Sequence, residues 1–383
     1  MNNWKCCLLG DILTLQRGHD LTYRQTKNGD IPVVGSNGII AYHDTPTTKA
    51  PCVTIGRSGN IGHAFYYDCD CWAHNTVLYV KDFKGTHPKF AYYLLKSMSF
   101  GQYNAGSAVP TLNRNHIHSI EIKYPPLPVQ KKIASILSSL DDKIELNTRM
   151  NNVLEEIARA LFRRWFVAFE FPDNEGKPYK SAGGKMVESE MGRVPEGWEI
   201  LSLDQIANFM NGMACQKYPP KEGEESMPVI KIRELRSGNL NETDRVSHHV
   251  PEKYYVQNGD VLFSWSGSLM VDIWTSGEGV LNQHLFKVTS NTYQKWFYYF
   301  WTKYHLEEFQ NIAVDKATTM GHIQRKHLNQ AKVIVPNKDT LKRMDMVMVP
   351  IIAQIIQNNL EGNVLSELRD ELLPKLMSGE IEI

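Results

Sequence analysis

Two stretches of this chain lie 211 residues apart and can be superposed without a gap. Leu112-Asn-Arg-Asn-His116 matches Ile323-Gln-Arg-Lys-His327, Pro125 matches Pro336, and a long heptad pattern follows each at the same offset. Upstream the repeat is looser. Trp4, Leu9, Ile12, Leu15 and Gly18 answer Trp198, Leu203, Ile206, Phe209 and Gly212 at an offset of 194. Ile31-Pro-Val-Val34 answers Met227-Pro-Val-Ile230, and Val53-Thr-Ile-Gly-Arg-Ser-Gly59 answers Val261-Leu-Phe-Ser-Trp-Ser-Gly267 at 208. Phe90-Ala-Tyr-Tyr93 answers Trp296-Phe-Tyr-Tyr299 at 206. A duplicated chain of this kind must build two related halves. The drift of the frame makes the second globular half 17 residues longer, with the insertions expected in loops. The constant frame marks a scaffold of fixed length, and the slipping frame marks heads that are free to diverge.

The scaffold reads as helix. From Ile133 the a positions are Ile133, Leu140, Asn147, Leu154 and Leu161, and the d positions are Ile136, Lys143, Met150 and Ile157. No Gly or Pro interrupts them, so the pattern predicts a coiled-coil helix, with a plain amphipathic helix as the alternative. In the second copy a becomes Met344, Ile351, Asn358, Leu365 and Leu372, and d becomes Val347, Gln354, Glu361 and Leu368. Two matched helices can pack on each other. An antiparallel pair puts Asn147 and Asn358 near the middle, where a buried polar pair sets register. Pro350 is expected to kink or restart the second helix, and Gly362 to weaken it. At ~1.5 Å per residue the heptad stretch is roughly 42 Å long. Heads at its two ends would sit about 10–13 base pairs apart on a duplex at ~3.4 Å per pair.

The expected fold class is α+β: two globular domains with β-sheet cores joined by two long antiparallel coiled-coil helices, an internal repeat with pseudo-twofold character. The expected boundaries are a first head at 1–126, a central helix at 127–168, a linker at 169–197, a second head at 198–337 and a C-terminal helix at 338–383. The linker is rich in Gly, Pro and charge and reads as ordered or semi-ordered.

Charge gives no overall push towards nucleic acid, because 42 Lys+Arg balance 42 Asp+Glu. Residues 1–124 carry a net of +4 and seven of the 13 histidines, whereas residues 198–335 carry −1. Any attraction for phosphate must come from local patches or from partner subunits. No apolar run approaches a membrane span and the opening residues lead into no signal-like segment, so a cytoplasmic protein is expected. The six cysteines form no CxxC pair. Cys69-x-Cys71 with Cys6-Cys7 could hold zinc, but reduced thiols are the simpler reading, and no metal is expected.

Catalytic motifs are missing. No GxGxxG-type turn, GKS/T phosphate loop, HExxH or GxSxG occurs, and neither PP pair forms an amine-methyltransferase loop. Pro172-Asp173 and Glu175-x-Lys177 imitate the PD…ExK set of metal nucleases, but they sit in one loop instead of converging from two strands.

Two loop pairs carry binding chemistry. Gly56-Arg-Ser-Gly-Asn-Ile-Gly62 and Ser264-Trp-Ser-Gly-Ser268 follow apolar strands, with glycines that let the backbone approach a ligand. Arg57 and Asn60 carry donors suited to guanine and adenine edges, and Ser58, Trp265, Ser266 and Ser268 stand beside or opposite them. The same residues also fit a tight β-turn with solvated polar groups. The second pair is Asn113, Arg114 and Asn115 with Gln324, Arg325 and Lys326, where helix capping, phosphate positioning and base reading all remain open. The aromatic runs KFAYYLLK and KWFYYFWTKYH have helical spacing and read as core.

The segment PPLPVQKKIASILSSLDDKIELN, the linker FEFPDNEGKPYK, the restart EGWEILSL and the terminal LLPKLMSGEI together resemble the specificity (S) subunit of type I restriction-modification systems. The resemblance covers the whole chain. It implies two target-recognition domains, each reading one half of a split double-stranded DNA site. It also implies a non-catalytic scaffold that docks two modification (methyltransferase) subunits, to which restriction (endonuclease/translocase) subunits are added. S-adenosylmethionine, ATP and Mg would act on those partners, and the chain itself would need no cofactor. A two-headed coiled-coil adaptor that binds proteins and not DNA is the alternative.

Overall fold

The structure, a computed structural model, describes residues 4–100, 111–315 and 321–383. The chain divides into two compact units, Met1–Glu145 with Val364–Ile383 and Leu146–Asn363, so each unit takes a part of each long helix.

In the first unit four antiparallel strands run in the order Thr14–Arg17, Val77–Asp82, Cys52–Gly56, Ala64–Tyr67. Every residue of Cys52–Gly56 is buried, as its near-continuous apolar run requires of a covered strand. The helix Pro88–Ser97 buries Phe90, Tyr93, Leu94 and Leu95 in the same core as Val53, Ile55, Leu78 and Val80. A second sheet orders Gly38–His43, Ile31–Gly35 and Trp72–Ala73, the last pair parallel. A ribbon of Lys5–Leu8 with Glu121–Tyr124 closes the head beside the helices.

The second unit repeats this plan. Its four-stranded sheet runs Asn208–Asn211, Leu285–Thr289, Val261–Ser264, Met270–Ile273, and its ribbon pairs Glu199–Ser202 with Lys332–Val335. Ser226–Ile230 again pairs in parallel with a later strand, Gly279–Leu281. The helix Lys295–Tyr304 buries every residue from Trp296 to Thr302, so most of both aromatic runs is core, with Tyr304 left half exposed. Not all of the added length is loop. Where the first unit has the tight hairpin between Ile31–Gly35 and Gly38–His43, the second inserts the helix Ile232–Ser237 before the partner strand Arg245–Ser247. The linker is ordered: Phe171 stacks on Tyr179 at 4.6 Å and lies against Trp198, and Met186–Ser189 pairs with Gly192–Pro195.

The long helices are Leu127–Phe166, 40 residues, and Lys338–Ser378, 41 residues. The second runs through Pro350 and Gly362 without a break, so Pro350 does not restart it. They pack antiparallel in each unit. In the first, Ile133, Ala134 and Leu137 share a core with Leu373, Leu376 and Met377, and Arg369 pairs with Asp141 at 2.8 Å. In the second, Asn147 and Asn151 meet Ile355, Asn358 and Asn359.

The seam differs from the expected heptad. The a positions hold, but the other half of the seam lies four residues on, not three. Leu137, Asn151, Ala158, Met348, Ile355 and Leu376 are buried, whereas Met150, Ile157, Val347 and Leu368 are 38%, 44%, 43% and 42% exposed. Lys143, Gln354 and Glu361 therefore do not interrupt a core row. The asparagines also differ from a simple pair. Asn358 donates its Nδ2 to Asn151 Oδ1 (2.8 Å), while Asn147 donates to the Asn358 carbonyl (3.3 Å) and to Glu361 Oε2 (2.8 Å).

Candidate nucleic-acid interface

In the first unit the glycine-rich loop leaves the strand Cys52–Gly56 and folds back sharply. Gly56 accepts from the Gly62 amide at 2.9 Å, and a Cβ on Gly56 would stand 1.8 Å from the Asn60 carbonyl oxygen. Gly59 and Gly62 take φ of +80° and +78°. The loop is then clamped between two others. The Arg57 and Ser58 amides donate to the Thr76 carbonyl, and Leu112 donates to the Arg57 carbonyl at 2.9 Å. Backbone bonding of this kind leaves the side chains as the variable part.

Around Arg57 the fold collects polar groups from four segments. Its guanidinium reaches the Asn75 carbonyl at 3.4 Å, Asn75 donates its side-chain amide to Asp20, and Arg17 pairs with Asp20 at 3.2 Å. His74 Nδ1 and Thr76 Oγ1 are 3.0 Å apart, and the Ser36 amide donates to the same hydroxyl. Burial holds the His74 imidazole below the usual histidine range against the opposing charge of Asp20, which favours its neutral form. Asn60 is exposed at the tip.

The second unit builds the same frame with other side chains. Ile323 donates to the Trp265 carbonyl at 3.0 Å and Gly267 to the Gly321 carbonyl at 2.8 Å, as Leu112 does to Arg57. Ser58 bridges to Thr111 in one head and Ser266 to His322 in the other. Ser266 is buried and within 2.9 Å of His284 Nδ1. Ser268 is exposed, and the buried Trp265 Nε1 has no hydrogen-bond partner among the described residues.

The second residue set is divided by the structure. Asn113 caps the short helix Arg114–His118, accepting from the Asn115 amide at 3.0 Å, and its neighbours Arg114 and Asn115 are exposed. The Gln324 amide donates to His327 Nδ1 at 2.9 Å at the start of Arg325–Gln330. Arg325 is anchored to the Phe209 carbonyl at 3.0 Å and lies over the Phe286 ring, whereas Lys326 is exposed.

The sequence reading missed Arg17, Asp20, His74 and Asn75. A signal existed in part: Asn75-Thr76 and Gln283-His284 occupy equal places at an offset of 208, but no motif marks them. The assembled surface offers guanidinium, amide, imidazole and hydroxyl groups on a rigid backbone, which is hydrogen-bonding chemistry for base edges and phosphates. It does not assemble a nuclease set. Asp173 Oδ1 accepts from the amides of Glu175 and Lys177, and Lys177 pairs with Glu175 at 2.8 Å, so the three side chains form a local turn. Cys52 and Cys71 are buried together, away from the ribbon that carries Cys6 and Cys7, and no group that could hold a metal occurs among the described residues. No helix of the described residues is long and apolar enough to cross a membrane.

Two sheet-cored units of equal strand order, each with its part of two long helices and a polar loop cluster, define an internally duplicated α+β class of protein. The chain matches the type I restriction modification DNA specificity domain over residues 1–156 and 195–369, and it belongs to that family. It is 28% identical to the type I restriction enzyme MjaIX specificity subunit of Methanocaldococcus jannaschii, covering 78% of this chain and 70% of that one. It is 24% identical to the HindI specificity subunit of Haemophilus influenzae, covering 77% of each. Its fold is that of a type I restriction-modification S subunit from M. genitalium, with a TM-score of 0.66 at 15% identity, covering 98% of this chain and 96% of that one.

Proposed function

We propose that this chain is the DNA sequence-recognition subunit of a type I restriction-modification complex, with each head reading one half of a split double-stranded target. The observation that carries the reading is the doubled loop frame. Corresponding backbone bonds anchor the two loops, Arg57 to Thr76 with Trp265 to His284 and Leu112 to Arg57 with Ile323 to Trp265, yet the side chains they present differ, as two half-sites of different sequence require. The base-contacting candidates are Arg57, Ser58 and Asn60 in the first head and Trp265 and Ser268 in the second. Arg114, Asn115 and Lys326 are suited to phosphate, and Asn147 with Asn358 sets the helix register.

Two modification subunits dock on the helices in this reading, and restriction subunits add to them. The support is an exposed stripe on the central helix, Leu146, Met150, Val153 and Ile157, at the spacing of one helical face. S-adenosylmethionine, ATP and Mg serve the partners, which carry methyl transfer and cleavage, and the chain acts on cytoplasmic DNA without chemistry of its own. The test is to exchange residues 1–126 for the first head of another family member and sequence the host's methylated sites. One half-site is expected to change. A change in both, or methyl transfer by the purified chain without partners, would overturn the reading.

A further inference from the structure

At the end of the central helix, wholly within the second unit, lies a groove of about 680 Å³ against the helix Lys295–Tyr304. Its floor is aromatic: Phe162 and Phe300 are buried with ring centroids 5.6 Å apart, and Phe162 stands 6.1 Å from Tyr304. Tyr304 and Val167 line it at 48% and 51% exposure, too open for residues that only fill a core. The walls carry Arg159, Arg163, Arg164 and Lys303 against the single carboxylate of Glu307. None of these four cations has a close ion-pair partner among the described residues, although Glu170 attracts Arg164, Asp272 attracts Lys303, and Glu155 lines the cleft beside Arg159. Arg164 Nε donates to the Glu170 carbonyl and Lys303 Nζ to the Tyr299 hydroxyl, both neutral oxygens.

Such a groove calls for an occupant that is both anionic and apolar. A duplex backbone is anionic, but it is broad and gains nothing from an aromatic floor. The volume instead matches one or two bulky side chains. Among the described residues the repeat does not rebuild this groove. At an offset of 211, Arg159, Phe162, Arg163 and Arg164 correspond to Asp370, Leu373, Pro374 and Lys375. There Lys375 is already paired with Glu371 at 2.7 Å, Asp370 with Arg369, and Leu373 is buried. A surface used equally by two copies of one partner would keep its charge in both copies of the repeat.

We propose that this groove receives, once per chain, an acidic segment of a protein partner whose apolar anchor side chain seats on Phe162 and Phe300. The carboxylates flanking the anchor engage Arg159, Arg163 and Lys303. This rests on the reading that the chain works inside a multisubunit assembly, and it adds a site that the exposed stripe on the central helix does not explain.

The test uses the full chain assembled with its modification and restriction subunits, carrying a photo-crosslinking residue at Val167 or, in a second sample, at Val153. Mass spectrometry of the Val167 adduct is expected to identify a Glu/Asp-rich segment of a partner, at no more than one adduct per chain. Arg163→Glu should lower its yield at least about fivefold while Arg163→Lys retains it, as for a rim charge pair. The Val153 sample should be unaffected by either change. Crosslinks from Val167 to DNA, or to a segment without acidic residues, would overturn the proposal, as would none at all beside a normal Val153 adduct. Loss of the Val153 adduct in wild-type chains would instead count against helix docking itself.

Discussion

The two heads make one turn by opposite means. Gly56 and Ser264 are the same position in the repeat, as are Asn60 and Ser268. In the first head the residue-60 carbonyl occupies the space where a Cβ would be, so the turn closes by absence of a side chain. In the second head a side chain closes it. Ser264 Oγ donates to the Ser268 carbonyl at 2.6 Å and accepts from the Met270 amide at 2.9 Å, fully buried. A glycine turn is bounded by sterics and a serine turn by hydrogen bonds. The loop therefore keeps corresponding anchors while the local sequence diverges, and with it the residues shown to a ligand.

The largest expected effect comes from Gly56→Ala. The added carbon meets backbone, which cannot swing aside like a flexible side chain, so the loop must reshape at a cost of about 3 kcal/mol. Recognition of one half-site should be lost in a methylation assay while the other is kept. An intact first half-site would break the comparison. Ser264→Ala comes next, because it leaves the Ser268 carbonyl and the Met270 amide without their buried partner. The expected loss is about 2 kcal/mol, read as a lower urea midpoint with an unchanged slope. An unchanged midpoint would mean that serine is incidental there.

Arg57→Ala sharpens the contrast between the two surfaces. Among the described residues its guanidinium has a single long contact, to the Asn75 carbonyl, so removal should hardly affect folding. Base preference at one position of the first half-site should relax by about 1–3 kcal/mol. A uniform loss on all sequences would make Arg57 a phosphate contact. The smallest effect is a gain. Gly362 is the repeat counterpart of Asn151, and among the described residues no donor reaches the buried Asn147 Oδ1, which a side-chain amide at 362 could supply. An added side chain at 362 meets open space. Gly362→Asn should raise stability by about 0.5–1.5 kcal/mol in thermal unfolding, through helix propensity and an amide donated to Asn147 Oδ1. No gain would show that the two halves of the seam are not equivalent.

The sequence by itself determined the duplication and the two long helices. These are properties of periodicity and motif, which need no knowledge of what lies opposite. It also placed Arg57 and Trp265 in matching loops, because glycines and serines after an apolar run signal a turn wherever the chain goes. Three other features were decided only by the tertiary structure. The seam took Asn151 and Ala158 in preference to the more apolar Met150 and Ile157, since Asn151 finds Asn358 and the Ile355 carbonyl across the helix pair and the small Ala158 packs fully buried. The interface gained Arg17, Asp20, His74 and Asn75, which are scattered in sequence and meet only when the strand ends are brought together. Asn113 took the capping role because the helix after it begins at Arg114 and leaves amides to satisfy. Patterns along one chain report which face is apolar. They do not report which partner will cover it, and that choice rests on contacts between residues far apart in sequence.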